Sequence, residues 1–298
     1  MPSPEHDEIV AMMRGGLGFD GLSIAEQRAA MEASVGAFPI EADIVATETQ
    51  AGGVAADWVA VDGSDADRVI LHLHGGGYSM GSRTTHRGLA GRIARAARAR
   101  VLLPDYRLAP EHPFPAAVED AVACWHWLIS QGHAPRHMAI AGDSAGGGLA
   151  LATLLALKER GEALPACAVG LSPWVDLDRR GAAHDGATID GAAIDDPMLT
   201  REGLQHSARL YAGDELRHPL ASPLYGDLAG LPPLLLQVGG RELLLSDSLR
   251  LAAKMRAAEG NVTLEIEDGL IHVWQIFPNL PEAHQAIARI GAFVQRWC

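Results

Sequence analysis

Short apolar runs alternate with amphipathic patterns along most of this 298-residue chain, and no other feature restricts its fold as much. The apolar runs predict buried strands at 69–74, 101–105, 138–142, 166–172, 234–239 and 262–268. Helical patterns occupy 86–98, 115–131, 145–160 and 246–259, and a last helix is predicted at 281–297. Strands that alternate with helices build βαβ units. The sequence therefore predicts an α/β fold with a mostly parallel, twisted sheet covered by helices on both faces.

The segment before the first of these strands follows a different pattern. Residues 1–40 predict two amphipathic helices, and Ser23 forms a capping box with Glu26, in which each side chain satisfies a free backbone N–H group. Residues 43–50 and 54–61 favour strands, and the glycines between them predict a hairpin. The hairpin brings the predicted sheet to about eight strands.

One long segment interrupts the alternation. Between Pro173 and Leu231 the sequence is rich in turn residues and predicts no strand, and only Thr200–Tyr211 forms a clear helical pattern. An insertion of this length is rarely a plain loop. We therefore expect a helical cap, made of the N-terminal helices at 1–40 and a cap insertion at about 176–222, above one catalytic domain at 41–298.

The charge balance excludes two classes of partner. The chain has 24 Lys and Arg against 37 Asp and Glu, a formal net charge of −13. Binding to nucleic acid without sequence preference, or to anionic membranes, needs a basic patch, so we expect neither partner. No stretch approaches the roughly 18–20 apolar residues of a membrane span, and the N-terminus lacks the basic and apolar regions of a signal peptide. These features predict a soluble, cytoplasmic protein.

The cysteines and histidines indicate no metal or cofactor. Cys124, Cys167 and Cys298 are odd in number and widely spaced, so they predict neither a disulfide framework nor a C-x-x-C site. We expect ordinary thiols in a reducing compartment. The 13 histidines show no metal-binding spacing.

The strongest chemical signal is Gly142-Asp143-Ser144-Ala145-Gly146, a G-x-S-x-G pattern between a predicted strand and a predicted helix. A nucleophile elbow holds its serine in such a strained turn, where the glycines let strand and helix approach closely. The turn also points Ser144 at a helix N-terminus, which favours an anion. For this pattern taken alone, an ordinary glycine-rich turn is the alternative.

A second glycine-rich segment, His74-Gly75-Gly76-Gly77-Tyr78, directly follows the strand predicted at 69–74. Such a loop can present free N–H groups to a developing oxyanion. The spacing Gly75-x-Gly77-x-x-x-Gly81 also resembles a dinucleotide fingerprint, with Asp105 as the ribose-binding acid. That alternative is weaker, because its spacing differs by one residue from the usual pattern and it leaves the Ser144 motif unexplained.

A serine nucleophile needs a base, and the base needs a carboxylate that orients it. With a nucleophile elbow the chain order is serine, acid, histidine, so the base should follow the last strand, as His272 does. Both Glu242 and Asp247 follow the strand at 234–239. Glu242 is nearer the strand end, whereas Asp247 stands where a helix should begin and an acid complements the helix dipole. We favour Glu242 and keep Asp247 as the alternative.

Three motifs in this order resemble the bacterial hormone-sensitive-lipase-like carboxylesterases of the α/β-hydrolase fold. They are His74–Gly77, Asp105–Glu111 and Gly142–Gly147, and the similarity extends from around residue 40 to the last residue. We interpret Asp105, Arg107 and Glu111 of the second motif as a structural network that braces the oxyanion loop, and a direct role in catalysis is the alternative.

The resemblance implies a cofactor-independent serine carboxylesterase with Ser144 as nucleophile and His272 as base. Family members usually carry Asp as the acid, whereas this chain has Glu242 in the matching segment. The implied oxyanion hole consists of the N–H groups of Gly76, Gly77 and Ala145. The family also suggests short acyl chains and a homodimer.

The substrate pocket is the least defined part of the site. Tyr78, Trp174, Met198 and Leu199 are candidates for its walls. A lactone or amide hydrolase using the same triad is an alternative to the esterase. A non-catalytic ligand-binding receptor on a hydrolase scaffold is another, but such a protein would be expected to have lost the base.

Overall fold

The computed structural model describes residues 2–15, 21–34, 38, 40–178, 188–189 and 192–298. Its strands are β1 (Val45–Ala51), β2 (Val54–Ala60), β3 (Asp65–Leu73), β4 (Ala99–Pro104), β5 (Met138–Asp143), β6 (Cys167–Leu171), β7 (Thr188–Ile189), β8 (Ala192–Ala193), β9 (Leu234–Gly239) and β10 (Val262–Glu267). Its α-helices are α1 (Pro4–Arg14), α2 (Ile24–Ser34), α3 (Arg83–Ala97), α4 (Ala116–Ser130), α5 (Ala145–Glu159), α6 (Arg201–Ala212), α7 (Leu245–Ala257) and α8 (Pro281–Trp297).

The main sheet has eight strands in the order β1-β2-β4-β3-β5-β6-β9-β10. β1 and β2 form the predicted hairpin, and β2 is also antiparallel to β4. All other neighbours are parallel. The predicted α/β fold is confirmed. Because β3, β5, β6 and β9 run in the same direction, the loops after these strands meet at one edge of the sheet.

Helices cover both faces of the sheet, and the side chains of each strand alternate between them. In β4, Leu102 packs in the core cluster that includes α4, α5 and α7, whereas Val101 and Leu103 pack in the cluster that includes α3 and α8. This alternation is the two-residue period of a strand. Both clusters are closed to solvent, so the sheet forms a rigid support for the loops at its carboxyl edge.

The structure differs from the sequence prediction at two places. The run at 262–268 is not a buried strand, because β10 lies at the sheet edge and all six of its residues keep partial or full exposure. The insertion was expected to lack strands, but Thr188–Ile189 and Ala192–Ala193 pair as a short antiparallel ladder. Residues 179–187 and 190–191 of the predicted insertion lie outside the described residues.

The two N-terminal helices pack against loops of the sheet. α1 joins a cluster in which Ile9 and Val10 contact the segment after β10, including Leu270 and Ile271. The predicted capping box starts α2: the Ser23 N–H donates to the Glu26 carboxylate at 2.8 Å, and the Glu26 N–H donates to Ser23 Oγ at 3.3 Å. Within the described residues, no helix has the length and apolar character needed to cross a membrane.

Candidate active site

Ser144 stands in a sharp turn between β5 and α5. Its backbone has φ 52° and ψ −122°, a strained conformation for a residue other than glycine. The turn is tight enough that a Cβ on Gly146 would collide with backbone oxygens at the end of β3. The Ser144 hydroxyl makes no capping bond to α5, so it is free to interact across the sheet edge. The predicted nucleophile elbow therefore has the geometry that its glycines suggest.

A continuous hydrogen-bond chain joins the predicted nucleophile, base and acid. His272 Nε2 lies 2.9 Å from Ser144 Oγ, and His272 Nδ1 lies 3.1 Å from Glu242 Oε2. Glu242 is completely buried, and His272 is 4% exposed. When Nδ1–H donates to the carboxylate, Nε2 is left as an acceptor for the serine proton.

Asp247, the alternative acid, makes other contacts. Its Oδ2 accepts from the backbone N–H groups of Val175 and Asp176, both at 3.0 Å. It is completely buried in the first turn of α7. In the structure, Glu242 is therefore the acid that contacts His272, whereas Asp247 accepts hydrogen bonds from the backbone of the segment after β6.

The site stabilises the imidazolium form of His272 more than water does. Burial disfavours the imidazolium, but the Glu242 carboxylate outweighs it, so the pKa of His272 lies above its ordinary value of 6.5. Burial raises the pKa of Glu242 despite the opposing effect of His272. The Asp196 carboxylate of the insertion also raises both pKa values.

Ser172 is a site residue that the sequence analysis missed. It follows β6 with φ 46° and is completely buried. Its hydroxyl donates to Glu242 Oε2 at 2.8 Å and accepts from the Val273 N–H at 3.1 Å. The serine therefore joins the acid to the residue after His272. No motif marks it; its position at the carboxyl end of a strand beside β9 is the only signal in the sequence.

The loop after β3 is folded to expose backbone donors. Gly76 has φ 119° and Gly77 has φ 61°, and the Gly76 carbonyl accepts from the N–H groups of Ser79 and Met80 at 3.1 and 2.9 Å. Among the described residues, no protein acceptor takes the N–H of Gly76 or Gly77. Ala145 is the first residue of α5, so its N–H is one of the free donors at a helix start. These are the predicted oxyanion-hole residues.

A buried cluster of one carboxylate and two imidazole rings lies next to this loop. The Asp143 carboxylate is 3.1 Å from His72 Nε2 and 3.2 Å from His86 Nε2. Burial would raise the pKa of Asp143, but the two imidazoles hold it well below its usual range. The carboxylate also lies where a side chain on Gly75 would stand. Asp143 thus braces the loop, as its position beside the nucleophile suggests.

The expected bracing network of the second motif is only partly present. Glu111 pairs with Arg28 of α2 at 2.7 Å, and Arg28 Nε donates to the Ser79 carbonyl at 2.8 Å. This pair therefore braces the loop after β3. Asp105 and Arg107 instead bond to side chains of α3 and α4.

The four candidate pocket residues are in two different environments. Tyr78 and Trp174 are almost fully buried, and their rings are 6.2 Å apart. Because both rings are covered, an acyl chain would reach them only if neighbouring groups moved. Met198 and Leu199 lie in the insertion, where both N–H groups donate to Asp196. Met198 is 37% exposed.

The comparisons with known sequences agree with this geometry. Residues 70–276 match a sequence family described by its alpha/beta hydrolase fold. An acetyl-hydrolase of Streptomyces hygroscopicus is 46% identical over 245 residues, which cover 82% of this chain and 80% of that protein. An esterase of Acinetobacter venetianus is 36% identical over 259 residues, which cover 86% of this chain and 84% of that protein.

Comparison with solved structures identifies a narrower family within this fold. The crystal structure of EstE5 soaked with p-nitrophenyl butyrate matches with a TM-score of 0.93 at 44% identity, over 99% of each chain. An esterase from the bacterial hormone-sensitive lipase family matches with a TM-score of 0.93 at 46% identity, over 100% of this chain and 99% of that chain. This chain therefore belongs to the α/β-hydrolase-fold proteins, and among them to the serine carboxylesterases of the bacterial hormone-sensitive lipase family.

Proposed function

We propose that this carboxylesterase acts through Ser144 as nucleophile, His272 as general base and Glu242 as the acid that orients the base. The observation that carries the proposal is the hydrogen-bond chain from Ser144 Oγ through both ring nitrogens of His272 to Glu242. A serine hydroxyl is a poor nucleophile unless a base takes its proton. The chain supplies that base and holds it in the required tautomer.

Acylation begins when Ser144 Oγ attacks the ester carbonyl carbon and His272 Nε2 accepts the hydroxyl proton. Glu242 stabilises the imidazolium that forms, and Ser172 holds Glu242 through its hydroxyl bond. The carbonyl oxygen becomes an oxyanion, which needs fixed donors at the point where its charge develops. Its proposed donors are the backbone N–H groups of Gly76, Gly77 and Ala145. The intermediate then collapses, and the alcohol leaves with the proton from His272.

Deacylation repeats these steps with water. His272 takes a proton from a water molecule, whose oxygen attacks the acyl carbon of the Ser144 ester. The same N–H groups bind the second oxyanion. The carboxylic acid leaves when His272 returns the proton to Ser144 Oγ, which restores the free enzyme.

We assign short acyl esters as the substrate class, because α6 packs close to the oxyanion loop. A Cβ on Gly77 would lie 3.2 Å from Ser207 Oγ of α6. The rings of Tyr78 and Tyr211 stack with centroids 3.7 Å apart. Little room remains between this helix and the loop for a long chain. The names of the relatives, an acetyl-hydrolase and an esterase soaked with a butyrate ester, agree with this class.

Kinetics on p-nitrophenyl esters test the proposal. Ser144→Ala should reduce turnover to background, whereas Ser248→Ala, at a buried serine of α7 whose hydroxyl has no partner in the described structure, should leave it near the wild-type level. Wild-type kcat/KM should fall as the acyl chain lengthens beyond about four carbons. Near-wild-type turnover by Ser144→Ala contradicts the assignment. Faster hydrolysis of lactones or amides than of matched esters would favour the alternative substrate class.

We also propose that residues 1–40 and 176–222 together form the cap. Arg14 of α1 pairs with Asp195 of the insertion, and Asp195 also pairs with Arg241, the residue before Glu242. Both cap segments thus meet beside the triad acid. If so, Asp195→Asn should alter KM more than kcat, since it loosens the cap and leaves the reacting groups in place.

The homodimer and the cytoplasmic location remain predictions from the sequence and its family resemblance. Size-exclusion chromatography with light scattering tests the first, and cell fractionation tests the second. A mass of one chain, about 31.5 kDa, would exclude the dimer.

A further inference from the structure

Two cysteines that are widely separated in the sequence lie side by side in the fold. Cys167 is the first residue of β6 and is completely buried, and Cys298 follows α8 and is half-buried. Their sulfur atoms are 3.8 Å apart. A disulfide needs roughly 2.05 Å, so the side chains must approach but no third group has to be displaced from between them. Cys124 is apart from the pair, with its thiol near the Ala51 carbonyl at 3.5 Å.

The two thiols of the pair differ in exposure and in the direction of their pKa shifts. The hydrogen bond to Cys298, together with burial, raises the pKa of Cys167 far above its usual range. The same hydrogen bond lowers the pKa of Cys298, and the Arg68 guanidinium adds to this effect. The thiolate is the reactive form of cysteine, and sensor cysteines are accessible, of low pKa, and close to a second thiol. Cys298 has the features of the thiol that reacts first, and Cys167 is the second thiol within its reach.

We propose that Cys167 and Cys298 form a peroxide-sensitive dithiol that closes to a disulfide. The Cys298 thiolate attacks one oxygen of hydrogen peroxide; an S–O bond forms, the O–O bond breaks, and hydroxide leaves and takes up a proton as water. The Cys167 sulfur then attacks the Cys298 sulfenic acid; the S–S bond forms, the S–O bond breaks, and the Cys167 proton leaves with hydroxide as a second water. Two thiols are oxidised and one peroxide is reduced.

The disulfide would change stability and leave ester hydrolysis unaffected. It would tie the end of α8 to the start of β6, whereas Ser172 and the triad lie beyond the opposite end of that strand. The cross-link closes a loop of 131 residues, and long loops give the largest loss of unfolded-state entropy. We expect the melting temperature to rise by roughly 5 °C on oxidation.

Peptide mapping of the full-length protein tests the proposal. The protein is treated with hydrogen peroxide, its remaining thiols are alkylated, and the digest is analysed by mass spectrometry without reduction. The expected result is a cross-linked peptide that contains Cys167 and Cys298, with Cys124 alkylated as an internal control. Dithiothreitol should remove the cross-link and return the melting temperature to its starting value.

Two variants test the order of the steps. In Cys167→Ala, Cys298 should stop at the sulfenic acid and be labelled by dimedone. In Cys298→Ser, Cys167 should stay reduced and the melting temperature should no longer respond to peroxide. The proposal fails if wild-type Cys298 passes to the sulfinic acid without a cross-link, or if Cys124 oxidises as fast as Cys298. Because Cys298 is half-buried, its variant remains informative even if the core substitution at Cys167 does not fold.

Discussion

Parallel substitution of Glu242 and Asp247 separates the catalytic acid from a structural one. Glu242→Gln keeps the size of the side chain but removes its charge from a buried site 3.1 Å from His272 Nδ1. The amide can donate where the carboxylate accepts, so the histidine loses both its tautomer control and the charge that stabilises the imidazolium. We expect kcat to fall by ~10³–10⁴-fold. Because the Glu242 carboxylate raises the pKa of His272, the residual activity should extend to lower pH than that of the wild type.

Asp247→Ala should have the opposite profile. It leaves the N–H groups of Val175 and Asp176 without their carboxylate acceptor in a buried position. Each buried donor that loses its partner costs about 1–3 kcal/mol, so the free energy of unfolding should fall by roughly 2–6 kcal/mol. The melting temperature should fall by roughly 3–10 °C, and kcat per folded molecule should stay within about threefold of the wild type.

The assay is p-nitrophenyl acetate hydrolysis, with active sites counted by a covalent inhibitor and unfolding followed by circular dichroism. Glu242→Asp is the matched variant: it keeps the charge but is one methylene shorter than the side chain that reaches His272. It should therefore recover part of the activity that Glu242→Gln loses. The reasoning is refuted if Glu242→Gln stays near wild-type kcat, or if Asp247→Ala loses as much kcat at an unchanged melting temperature.

Four further outcomes follow from the same contacts. Ser172→Ala should lower kcat by about tenfold with little change in KM, because the Glu242 side chain loses one of the two hydrogen bonds that it makes within the described structure. Rescue by Ser172→Thr would support a positioning role, and an unchanged kcat would exclude it. Wild-type kcat/KM should fall as the pH decreases through a pKa above 6.5, since only neutral His272 can accept the serine proton; an inflection below 6.5 would contradict the account. Asp143→Asn should lower the free energy of unfolding in urea by about 1–3 kcal/mol, because the amide replaces the buried carboxylate that contacts both imidazole rings. Tyr211→Ala removes the ring stack with Tyr78, so hydrolysis of esters with longer acyl chains should increase. Tyr211→Phe removes only a hydroxyl with no partner in the described structure, so it should behave as the wild type. Equal effects of both substitutions would exclude the stack as the cause.

Local patterns in the sequence suffice to predict the sheet and the nucleophile. The continuous apolar runs of β3, β5, β6 and β9 and the glycines around Ser144 reflect burial and short-range sterics, which a short window of the sequence already contains. Ser144, His272 and Glu242 are also predictable, because chain order along a parallel sheet fixes which loops meet. The edge position of β10 is not predictable in this way, since an apolar run does not indicate how many neighbours a strand has.

Contacts between distant segments are what the sequence leaves open. Ser172 has no motif, and its role depends on where β6 ends relative to β9. Arg28 braces the oxyanion loop from α2, a contact that no pattern near residue 28 indicates. Cys167 lies close to Cys298 because α8 packs against β6. Such contacts depend on the packing of whole elements, so they appear only once the fold is assembled.

Covalent labelling with a fluorophosphonate tests the central claim most directly. The reagent reacts with a serine only when a base has activated the hydroxyl. Intact mass spectrometry should show one adduct per chain, peptide mapping should place it on Ser144, and His272→Ala should slow the labelling by ~10³-fold or more. An unlabelled protein, an adduct on another serine, or labelling that does not depend on His272 would contradict the account.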